Sequence, residues 1–499
     1  MKRYSGPRRR VLPAVVAGGL ALLSSACMIG PNYKKPAAPT PPTFKEEPPP
    51  EYREIAGWKT AQPNDGMLKG KWWEVYSDPA LSALEEQVDI SNQNLLQAEA
   101  QYRQARQTVR LDRAALFPTV ATSPLIQTSR AVVSSAVGGG GGQGNVRTQY
   151  EFPGTISWGP DLWGSIRRNV AAAAANAQVS AADLENARLL YQSELASDYF
   201  QLHGLDGDSE LLRRTLDSYK EYLILTQNRR AGGIASDLDV SQAEAQLYAT
   251  QAELQDLGVE RATLEHAVAV LTGKPPAELS IAAATLKGPP PAVPVVLPSL
   301  LLERRPDIAA NERQMAAANE QIGIAKAAFY PNLTLSGSTG FESGRITTWI
   351  SWPARFFSVG PSMAETIFDG GRRRAAVAQS QAAFDATIAA YRQTVLTAFQ
   401  QVEDGMATLR VLAEESQTAA QSVISAERAL TVSTAQYKAG TTAYLTVITA
   451  QATALSAERT AVDLLTRRYV ASVSLIQALG GGWDSSQLPT IKDVAATGN

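Results

Sequence analysis

The sequence of 499 residues predicts a mainly helical protein with a smaller β part, built from two copies of a helix–strand–strand–helix–helix unit. Three observations lead to this fold class. The chain contains long proline-free stretches of helix-forming residues, it repeats several motifs in its second half, and period-two stretches lie between the helical segments. Because an α-helix rises about 1.5 Å per residue, helices of roughly 60 residues would reach about 90 Å.

Prolines mark the boundaries of the predicted helical segments. It is absent from three gaps, Pro79–Pro118, Pro160–Pro275 and Pro361–Pro489, which are rich in Ala, Gln, Glu, Leu and Arg. Gly232-Gly233 and Gly440 interrupt the two longer gaps near their middles, so each gap is predicted to form two helices joined by a tight turn. Apolar residues at seven-residue spacing predict a supercoiled seam, as in Ile448, Leu455, Val462, Tyr469 and Ile476.

Two pairs of motifs indicate an internal duplication. "AALFPTV" at 114–120 matches "AAFYPNL" at 327–333, and "RRAGGIASDLDVSQAEAQL" at 229–247 matches "YKAGTTAYLTVITAQATAL" at 437–455. The first offset is 213 residues and the second is 208 residues, and the glycine run Gly138–Gly142 accounts for the difference. The predicted division is therefore a first repeat at 67–280, a second repeat at 281–480 and a C-terminal tail at 481–499.

Strands are predicted at about 119–132, 146–158, 332–342 and 352–364. In "VRTQYEFPGTISW" apolar and polar residues alternate over about ten positions, which is what a strand of a membrane barrel requires. Four strands cannot close a barrel, and open sheet edges are not tolerated in lipid, so membrane insertion would require two, three or four chains sharing one barrel. The alternative is a soluble β-hairpin packed on the helices.

The N-terminus has the features of a secretory signal peptide over residues 1–26. Five cations precede an apolar stretch at 11–23, which is too short to span a bilayer, and small residues come directly before Cys27. Cys27, the only cysteine, is predicted to carry covalent lipid such as palmitate, and an incidental thiol is the alternative. The proline-rich segment 27–66 is then a lipid-anchored, extended strap.

Composition argues against an enzyme, a metal site and nucleic-acid binding. His203 and His266 lie in opposite halves of a predicted helical hairpin and have no second histidine or cysteine nearby, so no catalytic or metal-binding residue is predicted. The run Gly138–Gly144 lacks the Lys-Ser/Thr of a phosphate loop. "FDGGRRR" at Phe368–Arg374 marks a strand-to-helix junction or, alternatively, an anion site. The formal charge of −2 and the absence of a basic tract disfavour nucleic acid.

Several motifs in order resemble the TolC-like outer-membrane factors, in particular their lipoprotein branch, the OprM/NodT type. They are "CMIGPNYKKP", "KWWEVYSDPALSALEEQVDISNQNLLQAEAQYRQAR", "PSLLLERRPDIAANERQMAAANEQIGIAKAAFYPNLTLSG", "FDGGRRRAA" and "YKAGTTAYLTVITAQ". The resemblance runs from Cys27 to about Gly481, and the segment Arg304–Asp307 is its most specific motif.

The resemblance implies a homotrimer with a 12-strand outer-membrane β-barrel continued by a periplasmic α-barrel of coiled-coil helices. Such a channel is the exit duct of a tripartite efflux pump for drugs or other toxic small molecules, working with a periplasmic adaptor and an inner-membrane RND-type transporter. The expected location is the outer membrane of a Gram-negative bacterium, with the helices in the periplasm. Type I protein secretion or metal export are alternatives, and so is a pore-less periplasmic scaffold lipoprotein.

The resemblance also assigns roles at the helical turns. It implies that the hairpin tips contact the adaptor, through Gly232, Gly233, Gly440 and Thr441. The carried-over gate positions are Asp237, Asp239, Tyr437, Thr446 and Thr449. Because two of these positions hold threonine where the family has acids, we expect weak cation binding at the gate. From the residues alone, a helix cap at Ser236 or Asp237 is the favoured explanation of the aspartates, and a ring of carboxylates in a pore is a compatible alternative.

Overall fold

The structure is a computed structural model that describes residues 28–47, 70–130, 146–293 and 298–495. The predicted signal peptide at 1–26, Cys27 and the glycine run Gly138–Gly144 lie outside the described residues. Helices dominate, as predicted. They are α1 Pro79–Ser91, α2 Gln93–Ala114, α3 Ser165–Ala231, α4 Asp237–Leu271, α5 Pro298–Arg304, α6 Pro306–Ala327, α7 Arg372–Lys438, α8 Tyr444–Ala478 and α9 Ile491–Ala495.

The duplication appears in the helix lengths. Helices α2 and α6 each have 22 residues, α3 and α7 each have 67, and α4 and α8 each have 35. Across the hairpins the structural offset is 207 residues, because α7 and α8 begin 207 positions after α3 and α4. The sequence-based offset of 208 was therefore wrong by one. It paired Gly232 with Gly440, whereas the glycines with φ of +72° and +76° are Gly233 and Gly440.

Both long proline-free gaps form two antiparallel helices, as predicted. Helix α3 packs against α4 within the first hairpin, and α7 packs against α8 within the second. Helices α2 and α6 pack on the remaining part of α3, and α6 also contacts α7. None of the helices in the described part of the chain combines the length and the hydropathy that crossing a bilayer requires.

The strands form one antiparallel sheet with the order β1-β3-β4-β5, and β2 also pairs with β3. The first expected strand is divided in two, because Pro124 lies between β1 and β2 and lacks an N–H for the ladder. The last strand begins three residues later than expected, after a 3₁₀ turn that contains Pro353. The strands are β1 Thr119–Thr122, β2 Leu125–Arg130, β3 Val146–Trp158, β4 Asn332–Ser343 and β5 Arg355–Ala364.

The main hydrophobic core lies where α3, α6, α7 and α8 meet the turn Trp72–Tyr76. The indole rings of Trp72 and Trp73 are almost fully buried there, at 1% and 2% exposure. Trp72 Nε1 donates to Gln192 Oε1 at 3.2 Å, which satisfies the buried indole N–H. This core joins the first repeat to the second, so the two hairpins extend from a common, rigid base.

The described part of the N-terminal strap, residues 28–47, contains no helix or strand and crosses the second repeat. The phenol of Tyr33 donates to Glu312 Oε1 at 2.7 Å, on α6. Further along, the backbone N–H groups of Lys45 and Glu46 donate to the two carboxylate oxygens of Glu403 on α7, each at 2.7 Å. These charge-assisted bonds hold the strap against the helices at several points.

The C-terminal tail is ordered as far as the structure describes it, to residue 495. Val494 of α9 is fully buried against Val109 of α2 and alanines of α3. Gln178 Nε2 donates to Pro489 O at 2.8 Å. The tail therefore returns to the helices near the sheet instead of extending away from the second repeat.

Candidate functional site at the hairpin tips

The first hairpin turns within six residues. Helix α3 ends at Ala231, and the backbone N–H groups of Ile234 and Ala235 both donate to Arg229 O, at 2.8 Å and 3.2 Å. Gly233 takes a φ of +72°, a left-handed conformation that glycine adopts without steric penalty. A side chain at this position would strain the turn, which explains why the sequence has glycine here.

Both predicted gate aspartates of this hairpin have partners within it. Ser236 and Asp239 form a reciprocal capping box, with Ser236 N donating to Asp239 Oδ2 at 2.9 Å and Asp239 N donating to Ser236 Oγ at 3.2 Å. Asp237 forms an exposed ion pair with Arg230. The structure therefore provides direct geometry for the capping role of Ser236, while the gate role of the aspartates stays a prediction.

The second hairpin makes a similar turn without carboxylates. Thr441 donates through both its N–H and its hydroxyl to Gln436 O, each at 3.0 Å, and helix α8 begins at Tyr444 without a side-chain cap. The predicted gate threonines, Thr446 and Thr449, are exposed. Thr449 donates to Leu445 O at 2.9 Å, and Thr446 Oγ1 accepts from Thr442 at 3.1 Å. This turn therefore presents hydroxyl groups where the first presents charges.

Arg229 joins the two tips. Its guanidinium carbon lies 4.6 Å from the centre of the Tyr437 ring, and its Nη1 donates to Lys438 O at 3.3 Å. A third contact lies slightly further from the tips, where the hydroxyls of Tyr222 and Thr434 are 2.9 Å apart. Each contact connects α3 to α7, so the hairpins of one chain are held together by a cation–π interaction and two polar links.

Tyr437 belongs to a small buried cluster beneath this link. It is 4% exposed, its ring centre is 5.2 Å from that of Tyr444, and Ala243 and Val447 pack beside them. Burial, followed by the neighbouring phenols, raises the pKa of Tyr444 to about 12. The buried Tyr437 hydroxyl has no hydrogen-bond acceptor among the described residues. The buried ring therefore serves as a platform on which the Arg229 guanidinium stacks.

The structure brings together some of the predicted residues and adds others. Gly233 and Gly440 form the turns and Tyr437 lies at the contact between hairpins, whereas Asp237 and Asp239 remain within their own hairpin. Sequence reasoning missed Arg229, Tyr222 and Tyr444. Arg229 stands in the "RRAGG" motif, but no local pattern shows that its partner lies on the other hairpin.

The hairpin tips combine exposed apolar side chains with the polar link between the two hairpins. Three large apolar side chains are more than half exposed there: Ile234, Leu238 and Leu445. Across the described ranges, no group of three or more histidine, cysteine or acidic residues could hold a metal ion. The arrangement offers an apolar contact surface beside a polar link between two helical hairpins.

Comparisons with known proteins agree with this architecture. The sequence model of the outer membrane efflux protein family matches residues 84–274 and 297–481, one segment in each repeat. Outer membrane protein OprJ of Pseudomonas aeruginosa is 28% identical over 471 residues, covering 94% of this chain and 95% of OprJ. Nodulation protein T of Rhizobium leguminosarum bv. trifolii is 28% identical over 432 residues, covering 85% and 88%.

The solved structure of the outer-membrane channel OprN superposes with a TM-score of 0.81 at 30% identity, covering 92% of this chain and all of the OprN chain. The predicted resemblance to outer-membrane factors is thereby confirmed, and with it the predicted class of function and location. The chain belongs to the outer membrane efflux protein family, whose members are outer-membrane channels and not enzymes.

Proposed function

We propose that the protein is the exit channel of a tripartite efflux pump, passing small toxic molecules from an adaptor–transporter complex across the periplasm and the outer membrane. The observation that carries this proposal is the distance between the sheet at one end of the chain's fold and the hairpin tips at the other. Helices α3 and α7 have 67 residues each, which corresponds to about 100 Å, with the sheet at one end and the hairpin tips at the other.

The channel is a homotrimer with a shared 12-strand barrel. Among the described residues of one chain, the sheet has unpaired edges at β1–β2 and at β5, and it exposes large apolar side chains such as Phe357, Val359 and Met363. Unpaired edges are not tolerated in lipid, so neighbouring chains must close them. With β1 and β2 counted as one spanning strand, three chains supply twelve strands, and their helices continue the barrel into the periplasm.

The partners act at the tips. A periplasmic adaptor docks on the exposed Ile234, Leu238 and Leu445 and on the turns that contain Gly232, Gly233, Gly440 and Thr441. An inner-membrane transporter of the RND type supplies the energy. The adaptor opens the channel by binding the separated hairpins more tightly than the joined ones, which shifts the equilibrium between the two.

The gate has few charges. Asp237 and Asp239 are its carboxylates. Thr446 and Thr449 place neutral hydroxyls at the other two positions, where the resemblance implies acids. Tyr437 and Arg229 supply the link that must break on opening. A gate with few carboxylates attracts cations weakly, because the selectivity of a charged ring depends on its charge.

Covalent lipid on Cys27 anchors the chain to the inner leaflet of the outer membrane, and no other cofactor is required. Each buried CH₂ group contributes about 0.8 kcal/mol, so two or three acyl chains give a nearly permanent anchor. Anchor and barrel are separate attachments. Mass spectrometry of the mature N-terminus tests the anchor, and an unmodified Cys27 would contradict it.

Two other functions compete with small-molecule efflux. Type I protein secretion or metal export would use the same channel with a different pump, and a pore-less scaffold would lack a channel altogether. Conductance of the purified full-length protein in planar bilayers separates the channel from the scaffold. Deletion of the gene should raise sensitivity to small toxic compounds, whereas loss of one secreted protein with unchanged sensitivity would favour secretion.

A further inference from the structure

The first described residues, Met28–Gly30, occupy a groove at the junction between β3 and α3. Ile29 N donates to Trp163 O at 3.2 Å, and Ile29 O accepts from Arg168 Nε at 2.6 Å. Both backbone groups of Ile29 are therefore used. The groove thus binds the main chain next to Cys27 and not a particular side chain.

A buried arginine forms the base of this groove. The Arg168 side chain is completely buried, and its Nη1 donates to Glu320 Oε2 of α6 at 2.6 Å. Its Nη2 has no hydrogen-bond acceptor within the described ranges. Burying a guanidinium this completely is unfavourable unless its hydrogen bonds are met. The hydrogen bond to Ile29 O therefore offsets part of the cost of burying the Arg168 guanidinium. It also links the N-terminal segment to the Arg168–Glu320 ion pair.

Glycines shape the groove to fit a main chain. Gly30 has a φ of +115°, and a Cβ there would lie 2.6 Å from Gly323 Cα on α6. A Cβ on Gly164 would lie 2.6 Å from Met28 Cγ, and a Cβ on Gly323 would overlap the side chain of Arg168. At each of these three positions, the close approach leaves no room for a larger residue without displacing the N-terminal segment or the arginine.

The duplication shows that this groove is not required for the helix–strand junction itself. At the equivalent position of α7, 207 residues later, Arg168 is replaced by Ala375. At the equivalent positions of α2, 213 residues earlier, Glu320 and Gly323 are replaced by Gln107 and Arg110. Helices α2 and α7 therefore form without the ion pair or the glycine. The groove is a specialised contact between α3 of the first repeat and α6 of the second, at the place where the N-terminal segment lies.

We propose that the groove formed by Trp163, Gly164, Arg168, Glu320 and Gly323, here called the N-terminal seat, is an intramolecular peptide-binding site that fixes where the acylated Cys27 enters the membrane. This inference rests on the proposed lipid attachment. If the strap were unattached between Cys27 and Tyr33, Cys27 could move by roughly 13 Å relative to the helices. With Met28 seated, Cys27 stays within one Cα–Cα step of about 3.8 Å. The acyl chains therefore enter lipid beside the β3–α3 junction.

Amide hydrogen exchange tests the seat without depending on the lipid. The sample is the full-length chain exported with an ordinary signal peptide, so that Cys27 is present but not acylated. Gly30→Ala changes only the strap, and it should raise the exchange rate of the Ile29 amide at least tenfold while exchange in α3 and α6 stays the same. The matched control is Gly288→Ala, at a glycine with a φ of +71° and no atoms within 4 Å of the added Cβ. Equal Ile29 exchange in all three proteins would overturn the seat.

Photocrosslinking tests where the acyl chains lie in the lipidated protein. A benzophenone amino acid in place of Leu162 should link to the acylated N-terminal peptide of its own chain, as detected by mass spectrometry. The control position is Phe368, an exposed residue at the junction between β5 and α7, and it should give at least fivefold less product. Equal crosslinking from both positions would refute the placement. A protein without any acylated peptide would refute the anchor instead, and the exchange rates would still decide whether the seat exists.

Discussion

Gly204 of α3 lies directly against Thr466 of α8, so close that a Cβ on the glycine would overlap the threonine hydroxyl. This contact brings the backbone of the first hairpin onto a helix of the second, just beyond their common base. Gly204 is buried, and it stands in a helix interior where glycine is otherwise unfavourable. The close packing of α3 on α8 accounts for its presence.

Gly204→Ala should therefore destabilise the protein by about 1–3 kcal/mol, because it overpacks the α3–α8 contact. The control is Gly258→Ala on α4, an exposed helical glycine with no atoms within 4 Å of the added Cβ. That substitution should stabilise the helix by about 0.5–1 kcal/mol through propensity alone. Thermal unfolding of the purified proteins measures both changes, and a neutral Gly204→Ala would contradict the close packing.

Removing the arginine that joins the tips should favour the open hairpins. Arg229→Ala loses a cation–π contact of about 0.5–1 kcal/mol and a hydrogen bond of about 1 kcal/mol, which together shift the equilibrium about 10- to 30-fold. Single-channel recording should show a correspondingly higher open probability. Arg230→Ala removes only an exposed ion pair with Asp237 and should change opening much less. Equal effects of the two substitutions would show that Arg229 does not hold the gate.

Divalent cations should block the channel weakly, because the proposed gate has two carboxylates per chain, Asp237 and Asp239. Thr449→Asp adds one carboxylate per chain at the exposed start of α8 and should tighten block about tenfold. Titration of conductance with Mg²⁺ or Ca²⁺ measures the change. If divalent cations block the unmodified protein tightly, and the block persists when Asp237→Asn and Asp239→Asn are combined, the proposed weakly charged gate is wrong.

The stability should depend on pH through Asp198 of α3. Burial, followed by the neighbouring Glu194, raises the pKa of Asp198 from 3.8 to about 6. Between pH 4 and 6 the folded protein keeps a proton that the unfolded chain releases, so stability falls as pH rises through this window and is level above it. The full shift corresponds to about 3 kcal/mol, and partial exposure reduces the expected effect to about 1–2 kcal/mol.

Asp198→Asn should reduce that pH dependence by the contribution of Asp198 and raise the unfolding temperature at pH 7, while burial also raises the pKa of Glu85 and leaves a remaining slope. Asp217→Asn, on an exposed position of the same helix, controls for the loss of one negative charge. Unfolding curves recorded between pH 4 and 8 compare the two variants with the unmodified protein. A slope between pH 4 and 6 that is unchanged in Asp198→Asn would assign the titration to another group.

The sequence predicted the helices well because their signals are local. Alanine-rich stretches end at proline or glycine, and α3, α4, α7 and α8 follow from that punctuation alone. The strands were less certain, because Pro124 and Pro353 can stand inside a strand, at its edge or in a turn. The repeat offset was wrong by one because either glycine of the pair Gly232-Gly233 can take the left-handed conformation, and only the turn itself selects Gly233.

The contacts that define the candidate site could not be predicted from local patterns. Arg229 meets Tyr437 across two hairpins, and Arg168 meets Ile29 across 139 positions. Heptad spacing shows which face of a helix is buried, but it does not show which other helix covers that face or at what height. The sequence also leaves the role of the aspartates open, because a carboxylate after a turn has the same sequence signature in a cap and in a pore ring.

Because the helices have equal lengths in the two repeats, the distance from the sheet to the hairpin tips can change only in certain steps. One residue added to α3 alone would advance its tip by about 1.5 Å and rotate it by about 100°, breaking both the pairing with α4 and the alignment with α7. Adding seven residues keeps the seam in phase, because seven residues nearly complete two turns. The insertion must be made in all four of α3, α4, α7 and α8. A relative that spans a wider or narrower gap should therefore differ by whole heptads in both repeats, in steps of about 10 Å.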